Sequence, residues 1–296
     1  MSQFLAVFKF KLEENYYTYI LIILNTFGMI LMNQTKQKSN KSALTKKELE
    51  VLILIYRFRF LNRVHIQAML GHKSHTRVQT WLDSLVKHGC LTKEYEKKIT
   101  NEPAIYYLSA LGRKQLKKNP EVETKLLNSR TWRENERTKE FIEHCLFVDD
   151  ICVSLMNLAE SSNRDLAFYT KTDLYGISYV VKPLPDAYFA LVAEDGDIKR
   201  YFLDVFDDVP SAQLRRRIQR YLGYYDLDKW FEKYPDKPFP GIILICPNTR
   251  MKGHLFYYIQ SHLDEYPDLN FDLSTKELVK KKGMRTEILE KVNPEE

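Results

Sequence analysis

The chain is poor in cysteine, and the few it has are not placed for chemistry. Its 296 residues include four, Cys90, Cys145, Cys152 and Cys246, scattered without a close pair. That spacing excludes a disulfide-stapled scaffold and fits small core residues in a reducing compartment. A zinc site is excluded on the same ground: no Cys or His cluster has ligand spacing, and His144 beside Cys145 has no second ligand nearby in sequence. Long hydrophobic runs are also lacking. The best candidate, Tyr17 to Met32, is sixteen residues long. As a helix it would reach roughly 24 Å, short of a hydrocarbon span of about 30 Å. No small-residue cleavage site precedes Gln34, so a signal peptide is not indicated. Three readings stay open for this stretch: a helix packed on the protein or a partner, a segment upstream of a start at Met32, and a membrane anchor. The expectation is a cytoplasmic protein without membrane association.

What is present is a globular composition with a strongly uneven charge. An apolar fraction of 44% and 13% aromatics exclude a largely disordered chain. From Lys38 to Lys118 there are 17 Lys or Arg against 6 Asp or Glu, whereas residues 119 to 296 carry 25 against 31. A chain of net charge +6 is therefore polarised, one part fitted to a polyanion and the rest mildly acidic. The expected organisation is an apolar extension over 1–37, a basic domain over 38–118 and a polar linker over 119–137. An α/β domain over 138–275 and a charged tail over 276–296 complete it.

Within the basic domain, Thr45 with Glu48 reads as a capping box ahead of Leu49, Leu52, Ile53 and Tyr56 at helical spacing. A short helix from about 62 to 70 follows, with Val64, Ala68 and Met69 expected inward and Ile66 to one side. A third helix, about 75 to 88, buries Val78, Leu82, Leu85 and Val86. Cys90-Leu91-Thr92 and Ile105 to Leu108 form a hairpin with a charged tip, and a fourth helix follows Ser109. This is the layout of a winged helix-turn-helix, whose third helix suits the major groove of double-stranded DNA. Arg77 and Gln79 are the candidate base readers, Arg for a guanine edge and Gln for an adenine edge. Lys73, Ser74, Thr76, Thr80, Lys87, Lys97 and Lys98 are candidate backbone contacts.

Beyond the linker, a helix from about 139 to 158 contains the acidic pair Asp149-Asp150. Period-two runs then predict strands at 166–169, 177–181, 188–192 and 200–205, with a turn at Glu194 to Asp197. A helix over 211–225, a doubly apolar strand over 241–246, a last long helix and an edge strand over 269–273 complete an α/β layer. Pro185-Asp186 before one strand and Asp204 near the end of its neighbour could meet at one sheet end, the arrangement that holds Mg²⁺ for phosphodiester hydrolysis. This resembles the restriction-endonuclease-like fold, whose motif places a lysine two residues after the second acid. Here that residue is Phe206, which cannot steady a phosphate charge. Arg216 or Arg217 could return a cation from the next helix, so Asp186, Asp204 and Arg216 are the catalytic and metal candidates if the domain is active. The expectation is an inactive scaffold without a cofactor.

Taken together the chain resembles the replication-relaxation family of plasmid and mobile-element proteins. The likeness is carried by Thr45 to Leu70, Arg77 to Leu91, Tyr106 to Gly112, His144 with Val148-Asp149-Asp150, Pro185-Asp186, Phe202-Leu203-Asp204 and Leu214 to Tyr225. Asp204 stands where a glutamate is more usual, and arginines replace a lysine expected in the last helix. The resemblance implies a DNA-binding accessory protein in plasmid or mobile-element replication control or mobilisation. A relaxase, a replication initiator or a second copy of the chain are the further partners it leaves open. Two alternatives stand beside it: a metal-dependent DNA nuclease using Asp186 and Asp204, and a winged-helix protein-interaction module recruited to a membrane.

Overall fold

The computed structural model describes residues 44–95, 103–120 and 122–293. The extension with Tyr17 to Met32 and the hairpin tip with Lys97 and Lys98 lie outside the described residues. Among the described residues, no helix is long and apolar enough to cross a membrane. The architecture is α+β: a helical N-terminal region followed by a domain built on a mixed sheet.

The N-terminal region runs α1 (Lys46–Phe58), β1 (Leu61–Asn62), α2 (Arg63–Met69), α3 (His75–Lys87), β2 (Leu91–Glu94), β3 (Ile105–Leu108) and α4 (Ala110–Leu116). Local chemistry starts each helix. The Thr45 hydroxyl accepts from Glu48 N while the Glu48 carboxylate accepts from Thr45 N, and Asn62, Ser74 and Ser109 cap α2, α3 and α4. The strands form an antiparallel sheet in the order β1-β3-β2. Gly89 ends α3 at φ +67°. Gly112 lets α4 approach the hairpin, because a Cβ there would stand 2.1 Å from the carbonyl oxygen of Cys90. The short α2 departs from the expected orientation. His65, Ile66 and Met69 are its buried residues, and Val64 is exposed. The reason is tertiary, since α2 packs on α3 and also on the long helix of the second domain.

The described part of 119–137, expected as a linker, is packed. It forms α5 (Thr124–Arg130) and a turn of 3₁₀ helix at Glu134–Glu136, with Val122, Leu127, Thr131 and Glu134 buried. Arg59, at φ +75° just after α1, is anchored here by a two-pronged bond to Glu134, both contacts 2.9 Å, with Phe141 beneath its guanidinium. That buried fork holds a backbone conformation rare for a side chain with a Cβ.

The second domain comprises α6 (Lys139–Ser161), β4 (Arg164–Thr170), α7 (Lys171–Leu174), β5 (Ala187–Ala193), β6 (Ile198–Val205), α8 (Ser211–Tyr225), α9 (Lys229–Lys233), β7 (Gly241–Cys246), α10 (Thr249–Leu263), β8 (Phe271–Thr275), α11 (Lys276–Lys282) and β9 (Glu290–Lys291). Its six-stranded sheet follows chain order, β4-β5-β6-β7-β8-β9. The first three strands are antiparallel hairpin partners, β6-β7-β8 are parallel through helical crossovers, and β9 returns antiparallel. β7 shows why its sequence is apolar throughout. Ile243 and Ile245 join the core beneath α6, whereas Ile242, Leu244 and Cys246 join the core beneath α8 and α10.

Two expectations give way here. Residues 177–181 form no strand; Val180 and Val181 plug into the core under α8 from a loop that Pro183 and Pro185 keep out of the ladder. The strand expected at 269–273 runs over 271–275 and is no edge, because the presumed tail supplies β9 and buries Val279, Met284, Ile288 and Val292.

The two halves share one core, which runs from α1 and α3 through α6 to β4, β5 and β7. Polar bonds reinforce the junction. Arg57 forks onto Asp173 at 2.8 and 3.0 Å, Thr170 donates to the Arg57 carbonyl, and His65 lies 2.8 Å from Asp150. Asp149, the other half of the acidic pair, is fully buried in α6. Burial, with the neighbouring charge of Asp150, pushes its pKa well above the usual carboxylate range.

Candidate functional site

Two places gather polar side chains: the outward face of α3 and a cleft at one end of the six-stranded sheet.

On α3 and the turn that leads into it, Lys73, Ser74, Thr76, Arg77, Thr80 and Lys87 are exposed. Some of these are already occupied locally. The Ser74 hydroxyl accepts from Arg77 N as the N-cap, and the Thr80 hydroxyl donates to the Thr76 carbonyl at 3.0 Å. The Arg77 guanidinium makes no hydrogen bond or ion pair among the described residues. Gln79 departs from the expected outward position. It is half-buried, its amide donating to Asp83 at 2.8 Å and to the Tyr106 hydroxyl at 3.3 Å, because its place on α3 turns it toward the hairpin.

The cleft follows from strand register. Thr170 pairs with Ala187, and Ala187 with Leu203, so one step further along each ladder Lys171, Asp186 and Asp204 lie abreast at the same sheet end. They line a cavity of about 480 Å³ together with His144, Arg130, Asp207, Arg217 and the apolar Leu184, Phe206 and Val209. Asp186 and Asp204 thus reach one cleft, but each is already engaged. The Oδ1 atom of Asp186 lies 2.5 Å from Lys171 Nζ and 3.0 Å from His144 Nε2, and its Oδ2 accepts from Val205 N at 2.7 Å. Asp204 accepts a fork from Arg217 at 2.7 and 3.1 Å and the Tyr221 hydroxyl at 2.7 Å. His144 also faces Asp207 at 3.3 Å, and Asp207 binds Lys276 at 2.8 Å.

These contacts set the ionisation. Burial opposes the charged form of Asp186, but Lys171 and His144 outweigh it and hold its carboxyl well below the usual range. Burial likewise works against the His144 imidazolium, and bonds to Asp186 and Asp207 overcome it, so its pKa is raised. Burial and the charge of Asp204 together keep the Tyr221 phenol protonated far beyond its ordinary range.

Arg217, and not Arg216, supplies the cation at Asp204. Four residues before Tyr221, it shares that residue's inward face, while Arg216 is turned to solvent. A divalent metal does not fit the residues present. Both oxygens of Asp204 are taken by a guanidinium that would repel a dication, and the lone pairs of Asp186 are directed at Lys171, His144 and a backbone N–H. Among the described residues no group of three His, Cys, Asp or Glu could hold a metal ion. Phe206, two residues after Asp204, is buried in the core under α8. The cation beside Asp186 is Lys171, which the sequence pattern did not single out. The Thr170–Asp173 capping box marks a helix start at the end of β4 and is the signal that could have found it.

Comparison with known proteins places this geometry in context. The model of the family described as replication-relaxation matches residues 52–236, more than half of the chain. Among solved structures, a similar one is the adhesin competence repressor of Streptococcus pyogenes, at 17% identity and a TM-score of 0.27. The match covers 48% of this chain and 96% of that one. No curated protein matches the chain.

Proposed function

Because the chain belongs to the replication-relaxation family, we propose that it is a DNA-binding accessory protein in plasmid or mobile-element replication control or mobilisation. The N-terminal region is read as a winged helix and the sheet domain as a restriction-endonuclease-like scaffold in which Arg217 has taken a position open to metal in active members. The observation that carries the reading is the exposed, cationic start of α3. Arg77 stands there without a carboxylate partner among the described residues, flanked by Lys73, Thr76 and Thr80, and no acidic residue lies in the helix's first turn. A helix of this kind offers a guanidinium to base edges and short hydroxyls to phosphates. Gln79, held by Asp83 and Tyr106, is a weaker base reader than its sequence position suggests. The helix-to-sheet order around the cleft supports the nuclease-like reading of the scaffold, and the engaged state of Asp186 and Asp204 supports a binding role over metal-dependent cleavage. A relaxase, a replication initiator and a second copy of this chain are the partner classes that suit an accessory role.

The test is binding of the full-length protein to duplex fragments of its host element, measured by fluorescence anisotropy across a salt series. Affinity should fall steeply with salt, and Arg77→Ala should weaken binding. Absence of duplex binding at low salt would overturn the assignment.

A further inference from the structure

The 480 Å³ cleft does not end at the sheet. A second cavity, of about 550 Å³, lies between the two halves of the molecule against Arg57, Arg59, Phe141 and Asp149. The two meet along Arg130, His144, Lys171, Asp186 and Asp207, which line both. Most cations along this trough are committed: Arg57 to Asp173, Arg59 to Glu134, and Arg217 to Asp204. Arg130, the last residue of α5, is not. Its guanidinium makes no hydrogen bond or ion pair among the described residues, and its Nε is buried without a partner. Burial and the nearby charge of Arg59 both push its pKa below an arginine's ordinary value, the reverse of what a paired guanidinium shows.

With Lys276, which bonds Asp207 from outside both cavities, the rest of the junction is also short of negative charge. Asp186 and Asp207 face Lys171, Lys276 and the His144 ring between them, so two carboxylates meet two ammonium groups and an imidazole whose charged form is favoured. Lys171 has further N–H groups to offer beyond its bond to Asp186, whereas both His144 nitrogens are in use and it contributes charge alone. A buried charged donor with no acceptor is costly, and a guanidinium, an ammonium and an imidazolium brought to one junction from α5, α7 and α6 match a group with several acceptor oxygens and one or two negative charges. Beside this junction the cleft turns apolar, with Pro183 and Leu184 on its wall and the half-exposed ring of Tyr175 at its edge. We infer that the junction of the two cavities is a metal-independent site for the phosphate group of a nucleotide or nucleic-acid strand, with Arg130 as its principal ligand and Lys171 as its second. The inference is independent of duplex binding by α3.

The experiment is thermal melting of the full-length protein against low-millimolar phosphate, with chloride at matched ionic strength as reference. Wild type should show a saturable rise in melting temperature. Arg130→Gln should require at least about tenfold more phosphate for the same rise, and Arg130→Lys, which keeps the charge but not the fork, should fall between the two. Without phosphate Arg130→Gln should melt no lower than wild type, a result that a structural ion-pair role for Arg130 would not give. A wild type indifferent to phosphate, or an Arg130→Gln or Arg130→Lys protein that responds as wild type does, would overturn the site. A labelled single-stranded oligonucleotide separates the sources. If it competes with phosphate on wild type and loses affinity in Arg130→Gln, the phosphate is that of a strand; if phosphate binds and the oligonucleotide does not compete, it is that of a free nucleotide. Arg77→Ala should leave the phosphate response intact, so failure here and failure of duplex recognition are told apart.

Discussion

The outward face of α3 and the cleft at the sheet end hold the same kinds of side chain in opposite circumstances. On α3 the cations stand in water, and the Arg77 side chain has no partner among the described residues. In the cleft Arg217, Lys171 and Lys276 each sit on a carboxylate, and Asp186 and Asp204 are almost fully buried. An arginine in the first setting is available to a partner and contributes little to folding; one paired like Arg217 holds the fold and is unavailable, which sets Arg130 apart within the cleft. Charge count therefore says less about function than pairing does.

The comparison breaks first at Arg217. Truncation by Arg217→Ala would leave Asp204 and Tyr221 without their cation, and a loss of about 3–5 kcal/mol in urea unfolding is expected for a buried pair losing one partner. A loss near zero would mean the cleft charges are not committed. Arg77→Ala should do the opposite, weakening duplex binding roughly tenfold while leaving unfolding within about 0.5 kcal/mol of wild type. A smaller effect is expected from pH. Because the folded His144 pKa is raised, its contribution is fully present below the unfolded imidazole value of about 6.5 and is lost as pH climbs through the higher folded value. Unfolding free energy should fall across that window in wild type, and His144→Gln should flatten the slope; an unchanged slope would refute the bridging role. The smallest effect belongs to Arg216→Ala, one residue from Arg217 but turned to solvent, which should change stability by no more than about 0.5 kcal/mol.

Much of the fold was readable where periodicity and capping are strong. The bounds of α8 and β7, the capping box at Thr45, the turn at Glu194 to Asp197 and the sheet-end meeting of Asp186 and Asp204 all follow from local pattern. The failures have a common physical origin. Val180 and Val181 read as a strand because apolar alternation cannot tell a paired strand from a loop plugging a core. Residues 119–137 and 276–296 read as linker and tail because their charge outweighs the few apolar residues, Leu127, Val279 and Ile288 among them, that do the packing. Gln79 read as outward because a helix wheel does not show that a hairpin tyrosine will claim its amide.

The sequence by itself determined the polarised charge, the helical identity of α1 and α3, the strands β4 to β7 and the carboxylates at Asp186 and Asp204, since each rests on neighbours a few residues apart. Only the tertiary structure decided which cation meets which carboxylate. Ladder register placed Lys171 beside Asp186, helix packing chose Arg217 over Arg216, and the docking of α5 left Arg130 between two cavities with no partner among the described residues. Such pairings depend on distances between residues far apart in the chain and on the exclusion of water, and neither is encoded in local spacing.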